Sequence, residues 1–341
     1  MADQSSGRPG EFELIAEFFQ GITAEDGVDL GIGDDAALIH PDPSGEHQLV
    51  VATDTLIEGV HFPAGAAAEQ IASRVLAVNL SDMAAMGAEP RWFTLALTLP
   101  EVLATTDWLR GFSAGLSEIA NQYHCALVGG DTTRGHLTIS ITLIGQVAHG
   151  KALQRCGAEV GDAIYVTGTM GDGAAALYLM TQGIDEQKGN KQSGAEDRVD
   201  RDRLLSRFYR PQPQILAGIQ LREMASACID VSDGLIADLS HICKASGVGA
   251  ILHSHLVPVN PDLHDMAPDL WQEWVLTGGD DYQLCFTVPE GNKAQVEQLI
   301  ADGNLEATCI GKIVDGDSVI VEDQTGEPMS FSKWGFDHFG R

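Results

Sequence analysis

Aspartate recurs in this chain inside apolar sequence, and that pattern constrains the fold more than any other feature. The segment LGIGDDAALI (30–39) sets Asp34 and Asp35 side by side between a glycine turn and an apolar run. Related designs return at VVATDT (Asp54), LVGGDTT (Asp131), CIDVSDG (Asp230 and Asp233) and LTGGDD (Asp280 and Asp281), each read as an apolar strand ending in small residues and a carboxylate. NLSD places Asp82 near the end of a helix-like run instead. Two unit charges 4 Å apart repel by about 4 kcal/mol at an effective dielectric of about 20. Taken singly, each residue is a turn or cap aspartate. Taken together they imply convergence, because strand ends in α/β folds meet on one side of the sheet. Carboxylates gathered without basic partners call for a hard divalent cation. Mg²⁺ is the expected ion for Asp34 and Asp35; the Ca²⁺ loop spacing D-x-[DN]-x-[DN]-G is absent.

The rest of the chain interleaves helix and strand patterns. GEFELIAEFFQGI, AEQIASRVLAVNLSDMAAMG and TDWLRGFSAGLSEIANQYH read as helices; HQLVVATDT, RWFTLALTLP, CALVGGDTT and LTISITLIGQVA read as strands. HGKALQRCGAEVGD reads as a crossover between two domains, 1–149 and 150–341. Beyond it, AIYVTGTMGDGAAALYLM predicts strand, glycine loop and helix, and the polar stretch 181–203 an exposed mobile loop. WVLTGGDDYQLCFTV reads as a strand region, EGNKAQVEQLIADG as a helix, and the C-terminal part as hairpin-like, ending in SKWGFDHFGR.

With 341 residues, 44% hydrophobic and 20% charged, the chain has ample core for two domains. A net charge of −29 excludes the basic face a nucleic-acid binder needs, and no polybasic segment suits a membrane surface. No apolar run approaches the roughly 18 residues of a membrane span, and the N-terminus lacks a signal-peptide shape. Six cysteines lie far apart with no CxxC pair, as expected of free core thiols in the cytoplasm.

Three stretches imitate phosphate motifs. GIGDDA (31–36) fits a loose dinucleotide fingerprint, but its variable positions are aspartates that would face the pyrophosphate. GQVAHGKA (145–152) matches a P-loop except for Ala152, where Ser or Thr is needed. Gly168, Gly171 and Gly173 precede an alanine-rich helix and read either as an anion cradle or as a plain close-packed turn.

GIGDDAALI, TDTLIEGVHF, NLSDMAAMGAEP, GGDTTRG, YVTGTMGDGAAAL, IDVSDGLIADL and LTGGDDYQLCFTV, in this order and spacing, resemble the thiamine-monophosphate kinase family, within the aminoimidazole ribonucleotide synthetase and selenophosphate synthetase superfamily. The resemblance covers nearly the whole chain. It implies two α/β domains: an N-terminal one (1–149) that binds ATP and Mg²⁺ and pairs with a second copy into a dimeric β-barrel, and a sandwich-like C-terminal one. It implies ATP-dependent, Mg²⁺-dependent phosphorylation of thiamine monophosphate to thiamine diphosphate, the last step in making that cofactor. The implied metal residues are Asp34, Asp35, Thr53, Asp54, Asp82, Asp131, Asp230 and Asp233. Of these, Asp35, Asp82, Asp131 and Asp233 serve catalysis through the bound ion. Gly130, Asp131, Arg155 and Ser232 match nucleotide contacts; His61, Asp280 and Phe336 match contacts to thiamine monophosphate.

Two departures stand out. Ala52 takes a position often held by Ser, and GGDDYQL replaces the usual GGEDYEL, so Asp280 is one methylene short. Simpler readings compete at single residues: a surface-loop histidine for His61, core closure for Phe336 and Trp334, a structural role for Arg134. An aromatic at 336 suits a cationic thiazolium. The acceptor in such a reaction is an ionised phosphate monoester that needs no general base, which fits a chain without a Ser–His–Asp signature. The rival readings are another ATP-using enzyme of the superfamily, or a non-catalytic Mg²⁺- or nucleotide-binding protein.

Overall fold

HQLVVATDTLI and TISITLIGQVA alternate apolar and polar residues, as half-buried strands do. The computed structural model describes residues 28–30, 34–39, 45–182, 195–331 and 334–336, and in it these two stretches pair along their full lengths. β1 (Val28–Leu30), β2 (Ala37–Ile39), β3 (His47–Ile57), β4 (Glu89–Leu99), β5 (Ala126–Arg134) and β6 (Thr138–Ala148) form one sheet in the order β1-β2-β3-β6-β4-β5. β3 runs antiparallel to β6 from His47↔Ala148 to Ile57↔Thr138, and β5 lies parallel to β4 at the edge.

One face of this sheet carries α1 (Ala68–Ala85), against which α2 (Thr106–Gln122) packs. Residues Ile71 to Ser81 of α1 are all buried. A helix buried all round needs cover on every side. The sheet and α2 supply part of it, and the second half of the chain supplies the rest.

Residues 149–162 cross over without helix or strand. Then β7 (Ala163–Thr167), β8 (Ala227–Asp230), β9 (Gly249–His253), β10 (Leu284–Val288), β11 (Ala307–Val314) and β12 (Val319–Glu322) form a second sheet, ordered β12-β9-β11-β7-β10-β8. β7, β8 and β10 are buried at every residue, in keeping with their mostly apolar sequences. Around this sheet lie α3 (Asp172–Gln182), α4 (Ala195–Tyr209), α5 (Ile215–Leu221), α6 (Leu235–Ser246), α7 (Asp262–Met266), α8 (Trp271–Thr277) and α9 (Glu290–Ala301). One core extends from the first sheet to Tyr165, Cys228, Leu284 and Phe286 of the second, so the halves share apolar packing.

The chain is a mixed α/β protein with two sheets. Several local expectations change. The 181–203 stretch is helical from Ala195, because α4 buries Leu204 and Phe208 just downstream; 183–194 lies outside the described residues. WVLT belongs to helix α8, and its strand starts only at Leu284. In the C-terminal region β11 and β12 flank β9, the first antiparallel and the second parallel, and the hairpin-like return follows β12, where Glu322 bridges Pro328 antiparallel and the Met329 N–H donates to the Val321 carbonyl at 2.8 Å. The expected helix at GEFELIAEFFQGI lies outside the described residues. All six cysteines are free. Among the described residues no helix is long and apolar enough to cross a membrane.

Candidate active site

The junction between the halves collects the acidic segments. α1 carries Asp82, β8 ends in Asp230, and the segment before β2 carries Asp34 and Asp35. Ligand oxygens of Asp35, Asp82 and Asp230 lie within 4.8 Å of one another, the one such group among the described residues. Burial, then repulsion from Asp54, Asp230 and Asp35, pushes the Asp82 carboxyl well above its usual range. Burial and Asp35 do the same to Asp230. Burial and the adjacent Asp35 raise Asp34 to about 7.

The counter-charge sought by the opening aspartates comes from the crossover. The Arg155 guanidinium grips Asp35 with two bonds, Nε to Oδ2 at 3.0 Å and a terminal nitrogen to Oδ1 at 2.7 Å. Its backbone N–H donates to Asp34 Oδ2 at 3.0 Å. One guanidinium facing Asp35, Asp82 and Asp230 leaves negative charge in excess. Hard oxygen donors in that number fit Mg²⁺.

Asp54 is near enough to repel Asp82, and the other residues of the expected set lie on separate strands and turns. Asp54 shares the inward face of β3 with Val50, Ala52 and Leu56, and its N–H donates to Asn79 of α1. Thr53 turns to the outer face, where its hydroxyl bonds that of Thr142 at 2.9 Å; strand alternation keeps that hydroxyl away from Asp54. Gly130 and Asp131 sit within the exposed edge strand β5, outside the close carboxylate group. Gly130 has φ +151°, and a Cβ there would lie 1.9 Å from the Leu95 carbonyl, so only glycine lets β5 approach β4. Asp54 and Asp131 are therefore mid-strand residues. Of the segments read as strand ends, only Asp230 terminates its strand.

Ser232 and Asp233 occupy the turn after β8. The amides of Ser232, Asp233 and Gly234 all donate to Asp238 Oδ2 at 3.1 Å, which fixes the loop. The Phe336 N–H donates to the Asp233 carbonyl at 3.0 Å, while its ring is exposed. The glycine loop after β7 is no open anion cradle. Gly171 and Gly173 donate to Asp281 at 2.7 and 3.1 Å, so the chain's own carboxylate takes these amides.

His61 and Asp280 are linked through Arg74, which sequence reasoning passed over. A single arginine within the apolar helical run IASRVLAVNL was the available signal. It is buried, its Nε donates to the His61 carbonyl at 3.2 Å, and a terminal nitrogen pairs with Asp280.

Residues 33–147 match the family model of the AIR synthase related protein N-terminal domain, and 159–324 that of its C-terminal domain. The thiamine-monophosphate kinase of Escherichia coli (strain K12) is 43% identical over 97% of this chain and 98% of its own. The chain belongs to the thiamine-monophosphate kinase family. That of Bacillus subtilis (strain 168) is 34% identical over 96% of this chain and 99% of its own. Among solved structures, the thiamine-monophosphate kinase from Stenotrophomonas maltophilia K279a superimposes with a TM-score of 0.76 at 44% identity, covering 94% of this chain and 98% of that one. AaThiL complexed with AMPPCP and TMP reaches 0.80 at 30% identity, covering 96% of each. The family is one of kinases whose acceptor is itself a phosphate ester, as the resemblance of the seven motifs implies.

Proposed function

We propose that this chain transfers the γ-phosphate of ATP directly to thiamine monophosphate, forming thiamine diphosphate and ADP. The observation that carries the reading is the part-buried group Asp35, Asp82 and Asp230, built from both halves of a chain in this family. AaThiL binds AMPPCP and TMP together, which supports the same pair of substrates here.

Asp35, Asp82 and Asp230 would hold Mg²⁺, joined by Asp34, Asp54, Asp131 and Asp233 and, through its main chain, Thr53. The chemistry such ions supply is charge neutralisation on phosphate oxygens. The chain's own residues bind and position. Arg155, Gly130, Asp131 and Ser232 would meet the nucleotide, and Arg155 exchanges carboxylate for phosphate in that role, both of which its planar fork fits. His61, Asp280 and Phe336 would hold the acceptor. The acceptor phosphate oxygen attacks the γ-phosphorus, the bond to the β–γ bridging oxygen breaks, and ADP leaves. No protein base is required, because the nucleophile is already ionised.

The same reading makes the protein a cytoplasmic homodimer. β5 is an exposed edge carrying Leu127 and Val128, and a second copy pairing there would extend the sheet toward a barrel.

Incubation with Mg²⁺, ATP and thiamine phosphate, followed by chromatography, tests the reaction. Thiamine diphosphate forms only when thiamine phosphate is the acceptor, and none forms with thiamine. ADP without thiamine diphosphate would move the acceptor elsewhere in the superfamily. Bound ATP with no ADP would favour a non-catalytic protein. A labelled phosphoprotein trapped during turnover would exclude direct transfer.

A further inference from the structure

Arg74 is the largest fully buried side chain among the described residues. A buried guanidinium is costly unless each donor finds an acceptor. Here Nε donates to the His61 carbonyl at 3.2 Å, one terminal nitrogen to the Phe208 carbonyl at 2.7 Å, and the other to Asp280 Oδ1 at 2.5 Å. Its Cζ lies 3.8 Å from the Phe208 ring centre. Burial works against the charge on Arg74, but Asp280, by charge and hydrogen bond, together with Tyr282 and Tyr209, more than offsets it and keeps Arg74 protonated.

The groups it joins come from separate parts of the chain. His61 lies in the turn after β3, Phe208 near the end of α4, and Asp280 in the turn between α8 and β10. That last turn is unusual. Asp280 and Tyr282 have φ of 70° and 50°, a region that residues other than glycine seldom occupy. Tyr282 donates its hydroxyl to the same Asp280 Oδ1 at 3.0 Å. Asp280 Oδ1 is thus held twice, and among the described residues no hydrogen bond is made to Oδ2.

We propose that Arg74 is a positioning residue for the acceptor: it sets the Asp280 carboxylate and the His61 turn in register across the junction of the two halves. This rests on the reading of His61 and Asp280 as acceptor contacts. It also accounts for the short side chain at 280. Arginine is the longest cation available, and its reach matches an aspartate; a lysine would match a glutamate.

The test combines kinetics with hydrogen exchange on the full chain. Arg74→Lys keeps the charge and so guards against simple misfolding. We expect its KM for thiamine monophosphate to rise on the order of tenfold, as for one lost charge-assisted hydrogen bond. The KM for ATP stays within about twofold, since the nucleotide contacts lie elsewhere. Amide exchange rises in 57–62 and 278–283 and not in β9 to β12. Adding Asp280→Glu to Arg74→Lys restores part of the loss. The proposal is overturned if both KM values are unchanged while kcat falls, if exchange rises throughout, or if neither segment changes. Should the wild-type chain make no thiamine diphosphate, the acceptor assignment falls. The exchange pattern then decides alone whether Arg74 registers the two turns.

Discussion

At the scale of single residues, charge balance decides the behaviour of the site. Asp34 and Asp281, both raised to about 7, keep protons in the folded chain that an unfolded chain releases near 3.8. The folded state binds more protons across that window, so stability falls as pH rises toward 7 and levels off above it. His241 acts oppositely: burial lowers it to about 4 from an ordinary 6.5, so stability is lost as pH falls below 6.5. In Mg²⁺-free buffer the melting temperature should therefore fall between pH 6.5 and 8. Differential scanning fluorimetry reads this directly, and a flat profile would show that these carboxyls are not raised. Asp82→Asn removes one of the repelling buried carboxyls. It should melt higher than the wild type in Mg²⁺-free buffer at pH 8, yet lose roughly 100-fold or more in kcat, the scale of removing one stabilising group from a phosphoryl-transfer site.

At the scale of elements, close packing of α2 on α1 supplies a test with two signs. A Cβ at Gly115 would lie 2.2 Å from the Glu69 carbonyl, whereas one at Gly111 would lie at an ordinary 3.5 Å from the Ala68 Cβ. Gly115→Ala should destabilise by about 1–3 kcal/mol through overpacking. Gly111→Ala should stabilise by up to about 1 kcal/mol through helix propensity. Urea midpoints separate the two, and equal shifts would mean the helices are not held this closely. The elements themselves were largely legible: the period of the apolar residues marked α1, α2, β3 and β6. WVLT was misread because a short buried apolar run has no period that separates helix from strand. The hairpin-like return expected near the C-terminus is present between Val321 and Met329, but the sheet neighbours of β11 and β12 were not legible. Which strand neighbours β12 depends on where β9 lies, and nothing local to 307–322 records that.

At the scale of the whole molecule, the carboxylate group exists only when both halves are assembled, since Asp35 and Asp82 come from one and Asp230 from the other. Mg²⁺ should raise the melting temperature of the wild type, because a ligand that binds only the folded state stabilises it. Asp230→Asn should abolish most of that increase without lowering the Mg²⁺-free melting temperature. An undiminished increase in the variant would place the ion elsewhere. If β5 is the pairing edge, sedimentation should show twice the chain mass, and Leu127→Asp should halve it.

The sequence by itself determined the family, the inventory of aspartates and most helices and strands, because motif spacing and hydrophobic period are carried by neighbouring residues. Tertiary structure alone decided which aspartates meet. It gave Arg155 to Asp35, occupied the glycine-loop amides with Asp281, and buried Arg74 between His61 and Asp280. Apart from Arg74 and His61, these pairings join residues more than 100 positions apart in the chain. Their energies depend on burial and on approach within hydrogen-bond distance, and neither is written in local spacing.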